Sequence, residues 1–150
     1  MTEQSLPPEA RWLGYAGLLP QALALLLSLS SNEWGFVALA GGFAYGALIF
    51  SFLGGVWWGQ ALAAERVGAG TFVAAVLPSL IALALFLPWT LGYAWPGPSL
   101  LWLGLFIGIS PLIDRRLDLS GSAFMRLRIH LSVGLGVLTI LLGIVALQRV

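Results

Sequence analysis

Cysteine and lysine are both absent from this chain of 150 residues, and charged residues of every kind make up only 9% of it. The absence of cysteine excludes disulfides, thiolate metal sites, iron–sulfur clusters and cysteine nucleophiles. His130 is the only histidine, so a zinc site would lack the three or four ligands that it needs. One histidine can hold a haem, but a lone histidine beside arginines is more often an interfacial hydrogen-bonding residue. We therefore expect no metal and no cofactor.

Titratable side chains are also missing from the middle of the apolar segments, where Gln21 is the only strongly polar residue. A proton relay needs a carboxylate or a histidine at that depth, and acid–base catalysis needs titratable groups positioned in a pocket. Asp114, Asp118 and His130 instead lie near the ends of segments. We therefore expect neither an enzyme nor a proton-coupled transporter. The arginines lie at predicted membrane surfaces, which does not favour nucleic-acid binding.

Five long apolar stretches dominate the chain, with nearly every charge in the gaps between them. A bilayer core about 30 Å thick is crossed by roughly 20 apolar helical residues, whereas a soluble chain carries roughly 25% charged residues. The stretches are continuously apolar rather than alternating, which favours helices over a barrel. The sequence therefore predicts an all-α integral membrane protein, a single five-helix transmembrane bundle with helices at about 12–30, 34–62, 72–87, 100–113 and 123–147.

Two of the predicted helices are irregular. Pro20 and Gln21 interrupt the first of them. The fourth would extend only about 21 Å, which is short of a full crossing. The uncharged residues 88–98 before it are expected to lie at the membrane interface or to dip into it.

Arginine is unevenly distributed between the two sides that five crossings create. The N-terminal tail and the loops after the second and fourth helices share one side, and only Arg149 lies on the other. Under the positive-inside rule this places the N-terminus in the cytoplasm and the C-terminus in the periplasm. The first ten residues lack the basic start of a signal peptide, so a bacterial inner membrane is the expected location. The arginines on the cytoplasmic side are Arg11, Arg66, Arg115, Arg116, Arg126 and Arg128.

The densest polar patch follows the fourth helix and continues into the fifth. Asp114 and Asp118 are one helical turn apart if the helix continues, and they are candidate ion-pair partners for the arginines nearby. Positive charge just inside the membrane attracts anionic lipid head groups, at about 1 kcal/mol per residue. We expect head groups of membrane lipids, or the acidic loop of a partner protein, to contact Arg115, Arg116, Arg126 and Arg128.

Three pairs of glycines spaced four residues apart are the clearest packing signal. Such a pair forms a flat groove that lets another helix approach closely. At about 100° per residue, the two pairs on the second helix point in nearly opposite directions, which predicts close neighbours on both of its sides. Homodimerisation is the alternative use. The pairs are Gly42 and Gly46, Gly55 and Gly59, and Gly104 and Gly108.

Prolines occur within three of the helices, at Pro20, Pro78 and Pro111. Each removes a backbone hydrogen bond and frees a carbonyl group, which nearby polar side chains can satisfy. If the kinks converge, they line a small polar cavity; kinks that serve packing alone are the alternative. The candidate ligand-binding residues of such a cavity are Gln21, Trp57, Trp58, Ser79 and Ser110.

Five segments carry a family resemblance: Leu13–Pro20, Ala47–Gly59, Leu77–Ala82, Asp114–Arg116 and Arg126–Arg128. They resemble a family of small bacterial membrane proteins of unknown function that includes the mitochondrial transmembrane protein sixty-nine. The stretch Ser51–Gly59 is the most specific of them, and the likeness extends over about residues 13–147. The resemblance implies a multi-helix inner-membrane protein without an assigned chemistry.

Two functions are compatible with these features. Glycine grooves and an arginine-rich surface favour a non-enzymatic accessory or assembly partner of other membrane proteins, or a homo-oligomer. Kinked helices, Gln21 and the Trp57–Trp58 pair favour the alternative, a binder or carrier of a lipid, quinone or tetrapyrrole. The first function predicts copurification with a partner, and the second predicts a bounded cavity with polar residues facing inward.

Overall fold

The computed structural model describes residues 5–64, 68–118 and 120–149. Helices make up 84% of the structure, and no strand occurs in these ranges. Six helices follow one another along the described chain: α1 (Pro8–Ala16), α2 (Leu19–Ser28), α3 (Glu33–Ala63), α4 (Ala69–Thr90), α5 (Gly97–Leu117) and α6 (Ser122–Leu147).

Helices α3 to α6 are each long and apolar enough to cross a membrane. The clearest case is α4. An apolar stretch of 18 residues in this helix has a mean hydropathy of 2.3, yet only 17% of the stretch is buried inside the protein. Leu80 and Leu83 on this helix are each 54% exposed. A large apolar surface is unfavourable in water, whereas lipid hydrocarbon solvates it. These features are those of an all-α, multi-pass membrane protein.

The single first helix that the sequence predicts is divided into α1 and α2. The ring of Pro20 conflicts with the carbonyl group four residues before it, which belongs to Ala16, and α1 ends at this residue. The hydroxyl of Tyr45 on α3 donates a hydrogen bond to the carbonyl oxygen of Gly17, inside the break. The interruption therefore begins one turn before the proline and is held in place from α3.

The α1–α2 pair runs alongside α6 in the same direction. Three polar contacts join the two segments, and the residue numbers of both partners rise together from one contact to the next. The contacts are Tyr15 with His130, Gln21 with Thr139, and Arg149 with the carbonyl groups of Ser28 and Ser30. Together α1 and α2 therefore extend from the first half of α6 to its C-terminal end, although neither alone is long enough to span a bilayer.

Helices α4 and α5 are longer than the sequence predicts, and the loop between them is shorter. Pro88 lies inside α4, which continues to Thr90. At the other side of the loop α5 begins at Gly97 with Pro98 in its first turn, a position that tolerates proline because the N–H there has no partner in the helix. The predicted loop at 88–98 is thereby reduced to residues 91–96. With 21 residues, α5 is about 32 Å long, enough for a full crossing.

The core of the bundle is centred on α5. Leu100, Leu103 and Ile107 on its inner face have no exposed surface, and Leu142 of α6 packs with them in the same fully buried cluster. Contacts between α5 and α6 are the most extensive of any helix pair. Side chains that α3 and α6 direct toward the centre of the bundle therefore pack against the inner face of α5.

Glycines allow the backbones of α5 and α6 to touch. A Cβ added at Gly104 would lie 2.7 Å from the carbonyl oxygen of Gly136 and 2.9 Å from the amide nitrogen of Ile140. Gly108 lies against the same partner, since a Cβ added at Gly136 would be 3.0 Å from its Cα. The predicted pair on α5 thus lies at a close helix–helix contact.

The first predicted pair on α3 also faces the interior. A Cβ at Gly42 would meet the side chain of Leu142 at 2.7 Å, and one at Gly46 would meet Leu103 at 3.1 Å. These glycines let α3 approach the α5–α6 layer.

Gly55 and Gly59 face outward rather than packing inside the bundle as the sequence predicts. No atom of a neighbouring described helix lies within 4 Å of a Cβ added at either position. Gly54 makes the close approach instead, against the carbonyl group of Ala75 on α4. One residue corresponds to about 100° of rotation around a helix, so adjacent glycines here have different surroundings.

Candidate functional site: a buried ion pair beside two cavities

Asp114 and Arg128 form a buried ion pair between α5 and α6. The Arg128 Nη2 atom lies 3.0 Å from Asp114 Oδ2, and the side chains are only 7% and 1% exposed, respectively. Neither of these two atoms has a hydrogen-bond partner among the described residues, so the contact is described as an ion pair. Ionisable residues inside membrane-spanning helices are energetically costly and mark functional sites by default.

Neutral donors and acceptors complete the network around the two charges. The indole Nε1 of Trp57 on α3 donates a hydrogen bond of 2.6 Å to Asp114 Oδ1. On the other side, Arg128 Nη1 donates to Ser132 Oγ at 2.7 Å, and Ser110 Oγ lies 3.4 Å from that oxygen. Hydrogen bonds to charged groups are stronger than those between neutral groups. The network therefore links three helices at one depth in the bundle.

The local sequence explains why these groups meet. Ser110 and Asp114 are four residues apart on α5, and Arg128 and Ser132 are four residues apart on α6. Residues at this spacing occupy the same face of a helix. The α5 pair continues the face that carries the buried core residues. Trp57 is 1% exposed and reaches the site from α3.

An apolar cavity of about 390 Å³ lies between α1, α3 and α6, and Arg128 of the ion pair is part of its wall. Its wall includes Leu13, Phe52, Val56, Leu131, Arg128 and Ser132. Its volume falls within the range of roughly 300–1,000 Å³ that is common for ligand pockets. Although α1 packs on α6, this cavity separates it from α3. The break between α1 and α2 thus leaves a space beside a buried charge.

Arg128 has donors that the network does not use, and Nε is the one that no ion pair accounts for. Only 6% of the residue is exposed, and Nε has no hydrogen-bond partner among the described residues. An unsatisfied buried donor costs roughly 1–3 kcal/mol, or more for a charged group. A ligand oxygen in the apolar cavity would satisfy it.

A second cavity, of about 410 Å³, lies against the outer side of α1 and the start of α6. We term it the arginine cavity; its wall consists of Ser5, Leu6, Arg11, Tyr15, Ala123, Arg126, Leu127 and His130. The hydroxyl of Tyr15 lies 3.1 Å from His130 Nδ1, which ties α1 to α6 here. Leu6 and Leu127 also line the apolar cavity, so the two cavities share part of their walls.

The five predicted ligand-binding residues do not line one cavity. Trp57 and Ser110 belong to the ion-pair network. Gln21 is fully buried but bonds to Thr139, between α2 and α6. Trp58 is 43% exposed and packs edge-to-face on Phe72. Ser79 is exposed and lines a shallow groove between α3 and α4. The three proline kinks therefore do not converge on a single polar space.

The four arginines predicted to contact head groups also differ. Arg115, Arg116 and Arg126 are exposed at the end of the bundle where α5 ends and α6 begins. The prediction that Arg128 contacts head groups is wrong, because Arg128 is buried in its ion pair with Asp114 and has no access to head groups at the surface. Arg66, which also entered the charge count, lies outside the described residues.

The structure confirms Asp114 as an ion-pair partner of Arg128, but the sequence did not predict the burial of Asp114, the hydrogen bond to Ser132 or the position of Arg11 in a cavity wall. The signal for the first two was present as the i, i+4 pairs Ser110–Asp114 and Arg128–Ser132, but the fourth helix was predicted to end at residue 113. Arg11 entered only as a topology signal. Across the described ranges, no three Asp, Glu or His side chains lie close enough to hold a metal ion.

Comparison with known proteins gives one match. A family model described as "Protein of unknown function (DUF3429)" matches residues 6–145, which include α1 to α5 and all but the last two residues of α6. No curated protein and no solved structure is significantly similar to the chain.

Proposed function

Since the chain belongs to the family of unknown function DUF3429, we propose a role from its geometry: it binds a membrane amphiphile, whose apolar chain occupies the apolar cavity beside Arg128. The observation that carries this proposal is the unpartnered Nε of a 94% buried arginine at the wall of that cavity. The proposed role is binding rather than catalysis.

The ion-pair network supports binding because it holds the guanidinium group in place. Asp114 and Ser132 fix Nη2 and Nη1, while Trp57 orients the carboxylate. The unpartnered Nε–H group is therefore held in place by the contacts of its neighbours before any ligand arrives. Such preorganisation improves affinity because less freedom is lost on binding.

The shape of the site also suits a ligand that enters from the bilayer. The walls on α1 and α3 include Leu13 and Phe52, which are 73% and 65% exposed. These side chains face the surroundings of the bundle as well as the cavity, so an amphiphile can enter between the two helices without crossing the core.

Filling the apolar cavity is expected to remove the ligand. In a Val56→Phe variant, the added ring would occupy space between α1 and α3, and we expect the fraction of protein that retains an amphiphile after mild extraction to fall about tenfold, equivalent to roughly 1.4 kcal/mol. Native mass spectrometry of protein extracted from its own membranes measures this fraction directly.

Val73→Phe is the matched control for that experiment. Val73 on α4 is 61% exposed and is not part of the cavity wall, so the same increase in apolar bulk should leave retention unchanged. Equal retention by both variants and the unaltered protein would contradict amphiphile binding in the apolar cavity.

We also propose a bacterial inner-membrane location with five crossings, the N-terminus in the cytoplasm and the C-terminus in the periplasm. The uneven arginine distribution supports this orientation, and the extension of α1 and α2 along α6 supports a fifth, broken crossing. Reaction of impermeant labels with Arg11 and Arg116 from opposite faces would contradict it.

The sequence resemblance supports a kinship with mitochondrial transmembrane protein sixty-nine. Absence of an equivalent Trp57–Asp114 contact from the structure of that protein would argue against this kinship.

A second candidate function is that of an accessory or assembly partner of other membrane proteins, or a homo-oligomer. The specific observation in its favour is the outward face of α3, where Gly55 and Gly59 leave a groove that no described helix fills. Small residues at such a face allow close helix–helix contact in a membrane. A single-copy particle in mild detergent, together with no crosslinked neighbour in native membranes, would argue against this function.

A further inference from the structure

The arginine cavity carries positive charge, and none of the described residues in its wall is acidic. Arg11 and Arg126 contribute two guanidinium groups, and Tyr15 and His130 add polar ring atoms. Among the described residues the one ion pair is that of Asp114 with Arg128, so no described carboxylate pairs with Arg11 or Arg126. Both are exposed, which leaves their charges available to an anion at the end of the bundle.

Its neighbour is the apolar cavity, and the same two elements build both. On α1, Arg11 faces the arginine cavity and Ala10 the apolar one; on α6, the corresponding residues are Arg126 and Leu131. Only the shared walls, formed in part by Leu6 and Leu127, separate the two spaces. A ligand with a charged end and an apolar end matches this arrangement.

The unpartnered donor of Arg128 supplies an independent third feature. Its Nε needs an acceptor oxygen inside an otherwise apolar cavity. The ester group of a glycerolipid has such an oxygen, close to the point where the head group joins the chain. Phosphate oxygens in turn are among the acceptors that guanidinium groups bind most strongly.

We infer that the amphiphile is a lipid with an anionic phosphate head group, held by Arg11 and Arg126 in the arginine cavity while an acyl chain lies in the apolar cavity. This inference rests on the proposed function and names the ligand class for the same site. A free phosphate offers the same anion chemistry, but it would leave the apolar cavity and the Nε donor of Arg128 unoccupied.

Two measurements distinguish an anionic lipid from a free phosphate: a titration with two lipids and a competition with inorganic phosphate. The full-length protein, stripped of lipid in a neutral detergent, is titrated with dioleoylphosphatidylglycerol or dioleoylphosphatidylcholine, and bound lipid is counted by native mass spectrometry. We expect a preference of about tenfold for the anionic lipid. The double variant Arg11→Gln, Arg126→Gln should reduce that preference to within about twofold while still binding both lipids.

The matched control removes the same number of charges from the same end of the bundle. Arg115→Gln, Arg116→Gln changes two exposed arginines that line neither cavity, and the preference should persist. Equal loss in both double variants would overturn the inference, because the preference would then reflect overall charge. Displacement of the lipid by millimolar inorganic phosphate would also overturn it, in favour of a free-anion site.

Failure of this inference differs from failure of the proposed function. If the Arg11→Gln, Arg126→Gln variant keeps the preference while Val56→Phe still loses both lipids, the head-group assignment is wrong and amphiphile binding stands. If Val56→Phe binds both lipids as the unaltered protein does, the apolar cavity is not the binding site and both proposals are wrong.

Discussion

An Asp114→Asn variant is expected to lose about 3–5 kcal/mol of unfolding free energy, the usual loss when one partner of a buried ion pair is removed. The asparagine keeps nearly the shape of the side chain and an oxygen for the indole N–H of Trp57, but it leaves the guanidinium group of Arg128 without a counter-charge. Because Arg128 is 94% buried, neither water nor lipid head groups can compensate. Unfolding in mixed micelles with increasing dodecyl sulfate, followed by far-ultraviolet circular dichroism, measures the loss.

Asp118→Asn is the matched control, since it makes the same chemical change four residues later. Asp118 is exposed and lies at the end of α5 with φ of 48°, a left-handed conformation that asparagine also tolerates. Its substitution should change the unfolding free energy by less than about 0.5 kcal/mol. Similar losses at both positions would contradict a special role for the buried carboxylate.

Removing both charges of the pair separates pairing from burial. An Asp114→Leu, Arg128→Met variant replaces two desolvated ions with apolar side chains, a change that is often neutral or stabilising. Here Trp57 Nε1 and Ser132 Oγ would lose a partner, so we expect recovery of at least half of the loss seen in Asp114→Asn. A loss equal to the sum of the losses in the Asp114→Leu and Arg128→Met single variants would mean that the two residues do not interact.

The second large effect is expected at Gly54, where alanine should destabilise the bundle by about 1–3 kcal/mol, as overpacking in a well-packed core does. The added methyl group would press against the carbonyl group of Ala75, and the ring of Pro78 lies 3.3 Å from it. Both are backbone or ring atoms of α4, which cannot rotate aside. The helices α3 and α4 must therefore separate, and the same unfolding titration reports the cost.

Gly55→Ala provides the comparison, with the same change one residue later. No atom of another described helix is within 4 Å of the new methyl group, and alanine is a better helix former than glycine by roughly 0.5–1 kcal/mol. The variant should be as stable as the unaltered protein or slightly more so. Equal destabilisation by the two substitutions would show that the helix itself, rather than contact with α4, is sensitive at this point.

Much of the helical architecture was predictable from the sequence. The second predicted helix, 34–62, is one residue shorter than α3 at each end. The fifth, 123–147, begins one residue after α6 and ends at the same residue. Long, continuously apolar runs bounded by polar residues make such helices easy to locate. Errors occurred at prolines: Pro20 divides one helix, whereas Pro88 and Pro98 remain inside helices that were predicted to end before them or begin after them.

The candidate site was predicted only in fragments, with Trp57, Ser110 and Arg128 assigned to two separate groups. An arginine in a sequence indicates a charge but not where the side chain ends. Arg126 and Arg128 are two residues apart and therefore about 200° apart around the helix, so one is exposed and the other is buried. Which face of α6 turns inward depends on α5 and α1, and a local pattern does not contain that information.

Membership in a class of apolar, multi-pass helical proteins follows from composition, run length and the scarcity of charge within the runs, because transfer into hydrocarbon depends on each segment's own side chains. The ion pair and its cavities depend instead on residues far apart along the chain: Trp57 and Asp114, 57 positions from each other, share a hydrogen bond only because glycines bring α3, α5 and α6 together. Packing among the helices decides which groups become the partners of buried polar side chains. For this reason the ion pair and its cavities are shown by the tertiary structure and are not contained in any local sequence pattern.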